Sequence, residues 1–130
     1  YRFLSNFYPV NINYEGLDFK SVEHAYVAMK TQDRAIREKV SELRFASEAK
    51  AYGKNMELRK DWKEVRLGIM ENLVHRKFIQ EPFRSQLLET GDALLLEGNY
   101  WKDTFWGVDK DTKKGQNHLG KILMKIRKTL

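Results

Sequence analysis

The chain of 130 residues contains no cysteine. That excludes a disulfide framework, a thiolate metal site and a cysteine nucleophile, and it suits a reducing compartment. Long apolar runs are missing too. Runs such as Ala93 to Leu96 are far short of the ~20 residues a membrane helix needs. No signal-peptide pattern is visible, so a cytoplasmic protein with no membrane partner is expected. Neither a GxGxxG nor a Walker loop occurs, which removes the dinucleotide and P-loop analogies. The histidines, His24, His75 and His118, lack metal-ligand spacing, and no nucleophile-elbow motif supports a serine triad. No metal and no cofactor is therefore expected. Blocks of like charge are also absent. The formal net charge is nevertheless +6, which favours anionic partners such as phosphates or nucleic acid; the dispersed cations equally suit a solvated surface.

What is present fits one globular domain with a real core, at 42% hydrophobic and 32% charged residues. The chain shows no internal repeat. The segment Tyr1 to Pro9 carries Tyr1, Phe3, Phe7 and Tyr8 around a polar break at Leu4-Ser5-Asn6, which predicts a tight turn flanked by rings. Those rings suit core packing or a wall for a flat ligand. Val10 to Phe19 alternates as a hairpin with Glu15-Gly16 at its turn. Ser21 is then an N-cap for a helix running to Lys30. Asp33 to Leu43 predicts an exposed helix with Ile36, Val40 and Leu43 as its apolar stripe. Ala46 to Tyr52 predicts a short helix ended by Gly53 at C′.

Asp61 and Glu64 have capping-box spacing ahead of a long helix whose Trp62, Val65, Ile69, Met70, Leu73, Val74 and Phe78 face inward. Phe83 to Leu88 reads as a short helix and Ala93 to Glu97 as a buried strand. Gly98 to Gly107 follows as a loop of large rings around Asp103. Asn117 to Lys128 is the terminal helix, with Leu119, Ile122, Leu123 and Ile126 inward.

Two stretches carry chemistry. In Phe19 to Lys30, Glu23, Val27 and Lys30 fall at i, i+4 and i+7. A carboxylate and an amine thus sit roughly 10 Å apart along one face. The spacing suits a small ligand lying between them, and it also suits solvated surface charges. In the second stretch, Asp103 lies among Tyr100, Trp101, Phe105 and Trp106. Carboxylates such as Glu23 and Asp103 could protonate a leaving group or stabilise oxocarbenium charge at a sugar. A lysine in a partly apolar site, for which Lys30 is the candidate, can attack a sugar C1 and form a Schiff base. The ring-rich loop is expected to close the site opposite the helix.

Seven pieces in order then resemble the NADAR (YbiA-like) family: FLSNFYP at Phe3 to Pro9; FKSVEHAY at Phe19 to Tyr26 with Lys30 after it; WxxxR at Trp62 to Arg66; KF at Lys77-Phe78; LxxTG at Leu87 to Gly91; DxxWG at Asp103 to Gly107; and GxNxLGxxLMxxR at Gly115 to Arg127. The resemblance implies a helix-rich α+β domain with a small β-sheet. It also implies an N-glycosidase that cleaves the C–N bond of a phosphoribosyl or ADP-ribosyl compound. The substrate would be a riboflavin-pathway intermediate or an ADP-ribosylated guanine, with ADP-ribosylated DNA as a partner in the second case. It assigns Lys30, Glu23 and Asp103 to catalysis. Substrate contacts fall to Asn6, Phe7, Tyr8, His24, Trp106, Gly107 and Asn117, with Lys20 or Arg2 and Arg44 or Arg66 meeting phosphates. A non-catalytic ADP-ribose or nucleotide-binding module, and a plain nucleic-acid-binding domain, are the competing expectations.

Overall fold

A computed structural model describes residues 1–99 and 103–130. Its backbone divides into two compact units, Tyr1–Gln80 and Glu81–Leu130. Among the described residues six α-helices accompany two short strand pairs, so the architecture is the helix-rich α+β class expected.

The first unit begins with a 3-10 turn, Arg2–Leu4. A hairpin follows, β1 (Ile12–Tyr14) and β2 (Leu17–Phe19), antiparallel with Ile12 opposite Phe19 and Tyr14 opposite Leu17. Its turn needs two left-handed residues, and Glu15 (φ 51°) and Gly16 (φ 79°) supply them. The alternation turns Ile12, Tyr14 and Phe19 inward. Helix α1 (Val22–Ala28) runs next, then α2 (Arg34–Glu42), α3 (Ala46–Gly53) and the long α4 (Trp62–Phe78). Helix α1 packs against α2, α3 and α4 and is nearly all buried, which makes it the centre of this unit. From α4, Trp62, Met70, Leu73, Val74 and Phe78 join the core, whereas Val65 and Ile69 are only half-buried.

Three local expectations are corrected in this unit. The focal helix stops at Ala28, with Met29 as its C-cap, instead of reaching Lys30. Gly53 is the last residue of α3 and not a left-handed C′ residue. A side chain there would meet Val27 Cγ1 at 3.1 Å and the Lys30 amine at 3.4 Å, so close helix approach, not a turn, is what glycine permits. Asp61 precedes α4 but makes no side-chain cap. Its carboxylate is taken by the neighbouring Arg59 guanidinium, at 2.6 and 3.1 Å.

The second unit holds α5 (Phe83–Glu89), β3 (Gly98–Asn99), β4 (Val108–Asp109) and α6 (His118–Thr129). Strands β3 and β4 pair in parallel, Gly98 with Val108 and Asn99 with Asp109. Leu119, Ile122, Leu123 and Ile126 of α6 are buried as their spacing predicts, alongside Phe83, Leu87, Leu95 and Val108. The expected strand at Ala93 to Glu97 does not form. Leu94 and Leu96 are 71% and 45% exposed, and only Leu95 is buried. This stretch is held by side chains: Arg127 donates to Thr90 Oγ1 and to the Ala93 carbonyl, and the Asn117 amide clamps Leu95 and Glu97.

Candidate active site

Helix α1 starts where Ser21, in extended backbone, turns its hydroxyl to accept the His24 N–H at 3.1 Å. The same oxygen lies 2.7 Å from His24 Nδ1, and His24 Nε2 lies 2.9 Å from the Leu43 carbonyl. A carbonyl can only accept, so Nε2 carries the proton and Nδ1 accepts from Ser21. Both ring nitrogens are thereby engaged within the fold, tying the start of α1 to the end of α2. Burial pushes the His24 pKa down; the Leu43 carbonyl opposes that, Lys20 adds to it and Glu48 opposes it.

Glu23 comes one residue earlier and is half-buried. Its N–H donates to the Asn6 carbonyl at 3.0 Å, which lays the N-terminal segment across the first turn of α1. That segment folds as the tight turn its polar break predicts. Ser5 Oγ accepts the Phe7 N–H, and the Ser5 carbonyl accepts from the Tyr8 N–H and from the buried Lys77 amine, at 2.9 Å. Asn6 Nδ2 reaches Met70 Sδ at 3.6 Å. Phe3 packs edge-on against Phe78, while Phe7 and Tyr8 stay 40% and 39% exposed. The rings thus divide between core and surface.

Lys30 lies just beyond the helix. Its carbonyl accepts from the Arg59 N–H at 2.7 Å, and its amine stands 5.8 Å from the Tyr26 ring centroid, beside the notch at Gly53. Burial lowers the pKa of this half-buried amine, and the charge of Glu23 partly offsets the effect. The two groups therefore act on one another across the helix, and Lys30 is closer to a neutral amine than a solvated lysine would be.

The expected phosphate ligands lie in several segments of this unit. The Lys20 amine donates to the carbonyls of Glu42 and Leu43 at the end of α2. Arg44 is exposed, its guanidinium over the Phe45 ring, and Arg2 is exposed in the first turn. Arg66 is half-buried on α4. A groove of about 980 Å³ on this unit is lined by Thr31, Gln32, Ile36, Tyr52, Leu58 and Arg59 among others, and a smaller one of about 440 Å³ shares Gln32 and Arg59. Neither is lined by Glu23 or Lys30.

In the second unit, Asp103 Oδ1 accepts the N–H groups of Phe105 and Trp106 at 3.2 and 3.0 Å, closing the turn that holds the Trp106 ring. Trp106 is half-buried and edge-on to Phe105. The carbonyl of buried Gly107 accepts from the Asn117 N–H at 3.2 Å. Asn117 itself is buried and left-handed. Its Oδ1 accepts the Glu97 N–H and its Nδ2 donates to the Leu95 carbonyl, each at 2.9 Å. Tyr100 and Trp101, the other rings of the expected loop, lie outside the described residues. Asn6, Phe7, Glu23, His24 and Lys30 are thus gathered around α1, and Asp103, Trp106, Gly107 and Asn117 in successive turns before α6. Sequence reasoning missed Gly53, whose role needs the position of α1. It also missed Lys77 as an anchor, visible only as a lysine on the inward face of an amphipathic helix.

Among the described residues no three His, Asp or Glu side chains gather as a metal site, and no helix is long and apolar enough to cross a membrane. These motifs and this fold define a class: the chain belongs to the NADAR domain family, whose match covers residues 1–130. Particular relatives follow. The chain is 42% identical to a riboflavin biosynthesis protein of Vibrio vulnificus over 98% of its own length, but spans only 35% of that protein. It is 39% identical to an N-glycosidase of Nostoc punctiforme, covering all of this chain and 86% of the relative. The solved NMR structure of the Escherichia coli protein YbiA superposes with a TM-score of 0.85 at 32% identity, covering 98% of this chain and 76% of that one.

Proposed function

We propose that the protein is an N-glycosidase that hydrolyses the C–N bond of a phosphoribosyl or ADP-ribosyl compound through an imine on Lys30. The observation that carries this reading is the Lys30 amine, half-buried beside Gly53 and Tyr26, lowered in pKa and within the field of Glu23. A solvated lysine is protonated and inert near neutrality; burial raises the fraction of free amine. The nitrogen attacks C1 of the ribosyl ring, the C–N bond to the base breaks, and the departing nitrogen takes a proton. Glu23 handles that proton. The resulting ribosylamine opens as its C1–O4 bond breaks, with a proton passing to O4, and leaves a C1=N imine. Water adds to C1 and releases the sugar aldehyde and the free amine. Asp103 holds the turn at Trp106.

Names of relatives support the reaction class, and two of them, from Vibrio vulnificus and Zea mays, are riboflavin biosynthesis proteins, which favours a phosphoribosyl metabolite. The test is release of free base from both substrate types. Lys30→Ala should fold and lose nearly all turnover, and Glu23→Gln should lose about 100-fold, the scale of a lost general acid–base. With Lys30 as the attacking base, the rate should rise with pH towards its depressed pKa and then level. Wild-type rates in Lys30→Ala would refute the assignment.

A further inference from the structure

We propose that Lys50 is the phosphate-binding residue of this site, its amine receiving the 5′-phosphate of the ribosyl ring on which Lys30 and Glu23 act. The proposal rests on the glycosidase reading for the position of the ring and on geometry for the cation.

Helices α1 and α3 run side by side in the same direction. The charge of Glu48, in the first turn of α3, reaches His24 at the start of α1, and Gly53 at the end of α3 meets Val27 and Lys30 at the other end. Ala46, Ala49 and Gly53 are the buried stripe of α3. Lys50 follows Ala49 and lies one turn after Ala46, so it occupies the edge of that stripe, half-buried, at a level between Glu23 and Lys30. Its Nζ stands 5.8 Å from the centroid of the Phe7 ring. Phe7 follows Asn6, whose carbonyl takes the Glu23 N–H. The Lys30 amine therefore stands beside Gly53 of α3, and the Lys50 amine of the same helix stands by the Phe7 ring, in the segment whose Asn6 carbonyl takes the Glu23 N–H. An amine for C1, a cation for the phosphate and a ring face beside that cation are groups a ribose 5-phosphate unit requires.

Of the cations expected from sequence, Lys20 bonds the carbonyls at the end of α2. A compact ammonium on a flexible stem also suits a terminal phosphate, which presents charge without a fixed plane.

The experiment is calorimetric binding of 1,4-anhydroribitol 5-phosphate against unphosphorylated 1,4-anhydroribitol. The probe has a ribose-like ring with no leaving group at C1, so the result is independent of turnover and of any imine. Wild type should prefer the phosphorylated ring by at least about ten-fold, as expected for one charge-assisted contact. Lys50→Gln should abolish that preference, and Lys50→Arg should retain most of it. Lys54→Gln removes an equal charge from an exposed position of the same region and should leave the preference intact. Absence of a preference in wild type, its survival in Lys50→Gln, or an equal loss in Lys54→Gln would each overturn the proposal. A preference that depends on Lys50 in a protein that releases no base would uphold the phosphate site and refute the glycosidase reading separately.

Discussion

Gly53→Ala perturbs the fold and the proposed chemistry through one atom. The added methyl would sit 3.1 and 3.2 Å from the two methyl groups of Val27 and 3.4 Å from the Lys30 amine. The Val27 contacts are short enough that α1 and α3 must separate by a few tenths of an ångström. Overfilling a packed seam costs about 1–3 kcal/mol. Replacing glycine by alanine in a helix returns up to ~1 kcal/mol, and less at the last helical position. The net loss should therefore be ~0–3 kcal/mol, measurable as a lower urea midpoint with unchanged slope. The larger consequence is for the amine: its own contact with the methyl would be an ordinary one, but the parting of the helices shifts its burial beside Gly53. Misplacement of a reacting group by ~1 Å can cost about 100-fold. Base release should fall by ten- to 100-fold while most of the protein remains folded. A variant with normal turnover would show that the notch does not position Lys30; a loss of many kcal/mol would show that the seam cannot yield.

Leu73, fully buried on α4, should cost about 2–5 kcal/mol when cut to alanine, read from chemical unfolding. Because the native His24 pKa is depressed, its contribution to stability is fully present above the unfolded histidine value and is lost as pH falls towards the depressed one. Wild type should therefore lose melting temperature on acidification through that window, and His24→Gln should show a smaller dependence there; identical profiles would refute the linkage. Asp103→Asn keeps an oxygen for the Phe105 and Trp106 N–H groups, so melting temperature should change little while turnover drops sharply; equal losses would favour a packing role alone.

Patterns with local causes were legible in sequence. Glu15-Gly16 marks the hairpin because only left-handed residues close that turn, and Ser21 marks the start of α1 because its hydroxyl caps the next turn. The apolar periods of α4 and α6 place most of their core residues correctly. What failed depended on side-chain partners that hydrophobic and capping patterns do not show. The Ala93 to Glu97 stretch reads as a strand, yet its backbone is held by an asparagine amide some twenty residues later. Asp61 has capping-box spacing, but the guanidinium of Arg59 competes for its carboxylate. At the candidate site, the Glu23–Lys30 spacing was readable, but the burial that lowers the Lys30 pKa, and the nearness of Gly53 to its amine, could not be. The phosphate cations were chosen by type alone, and the Lys20 bonds to carbonyls at the end of α2 were not legible in the sequence.

The central claim is that Lys30 forms an imine with the sugar, and reductive trapping tests it most directly. The protein is mixed with an N-ribosyl phosphate substrate in the presence of borohydride, which reduces a C1=N bond to a stable secondary amine, and is then digested and mapped by mass spectrometry. The account predicts a ribityl phosphate adduct on Lys30, dependent on substrate and absent from Lys30→Ala. Base release with no adduct, or an adduct on another lysine, would contradict it.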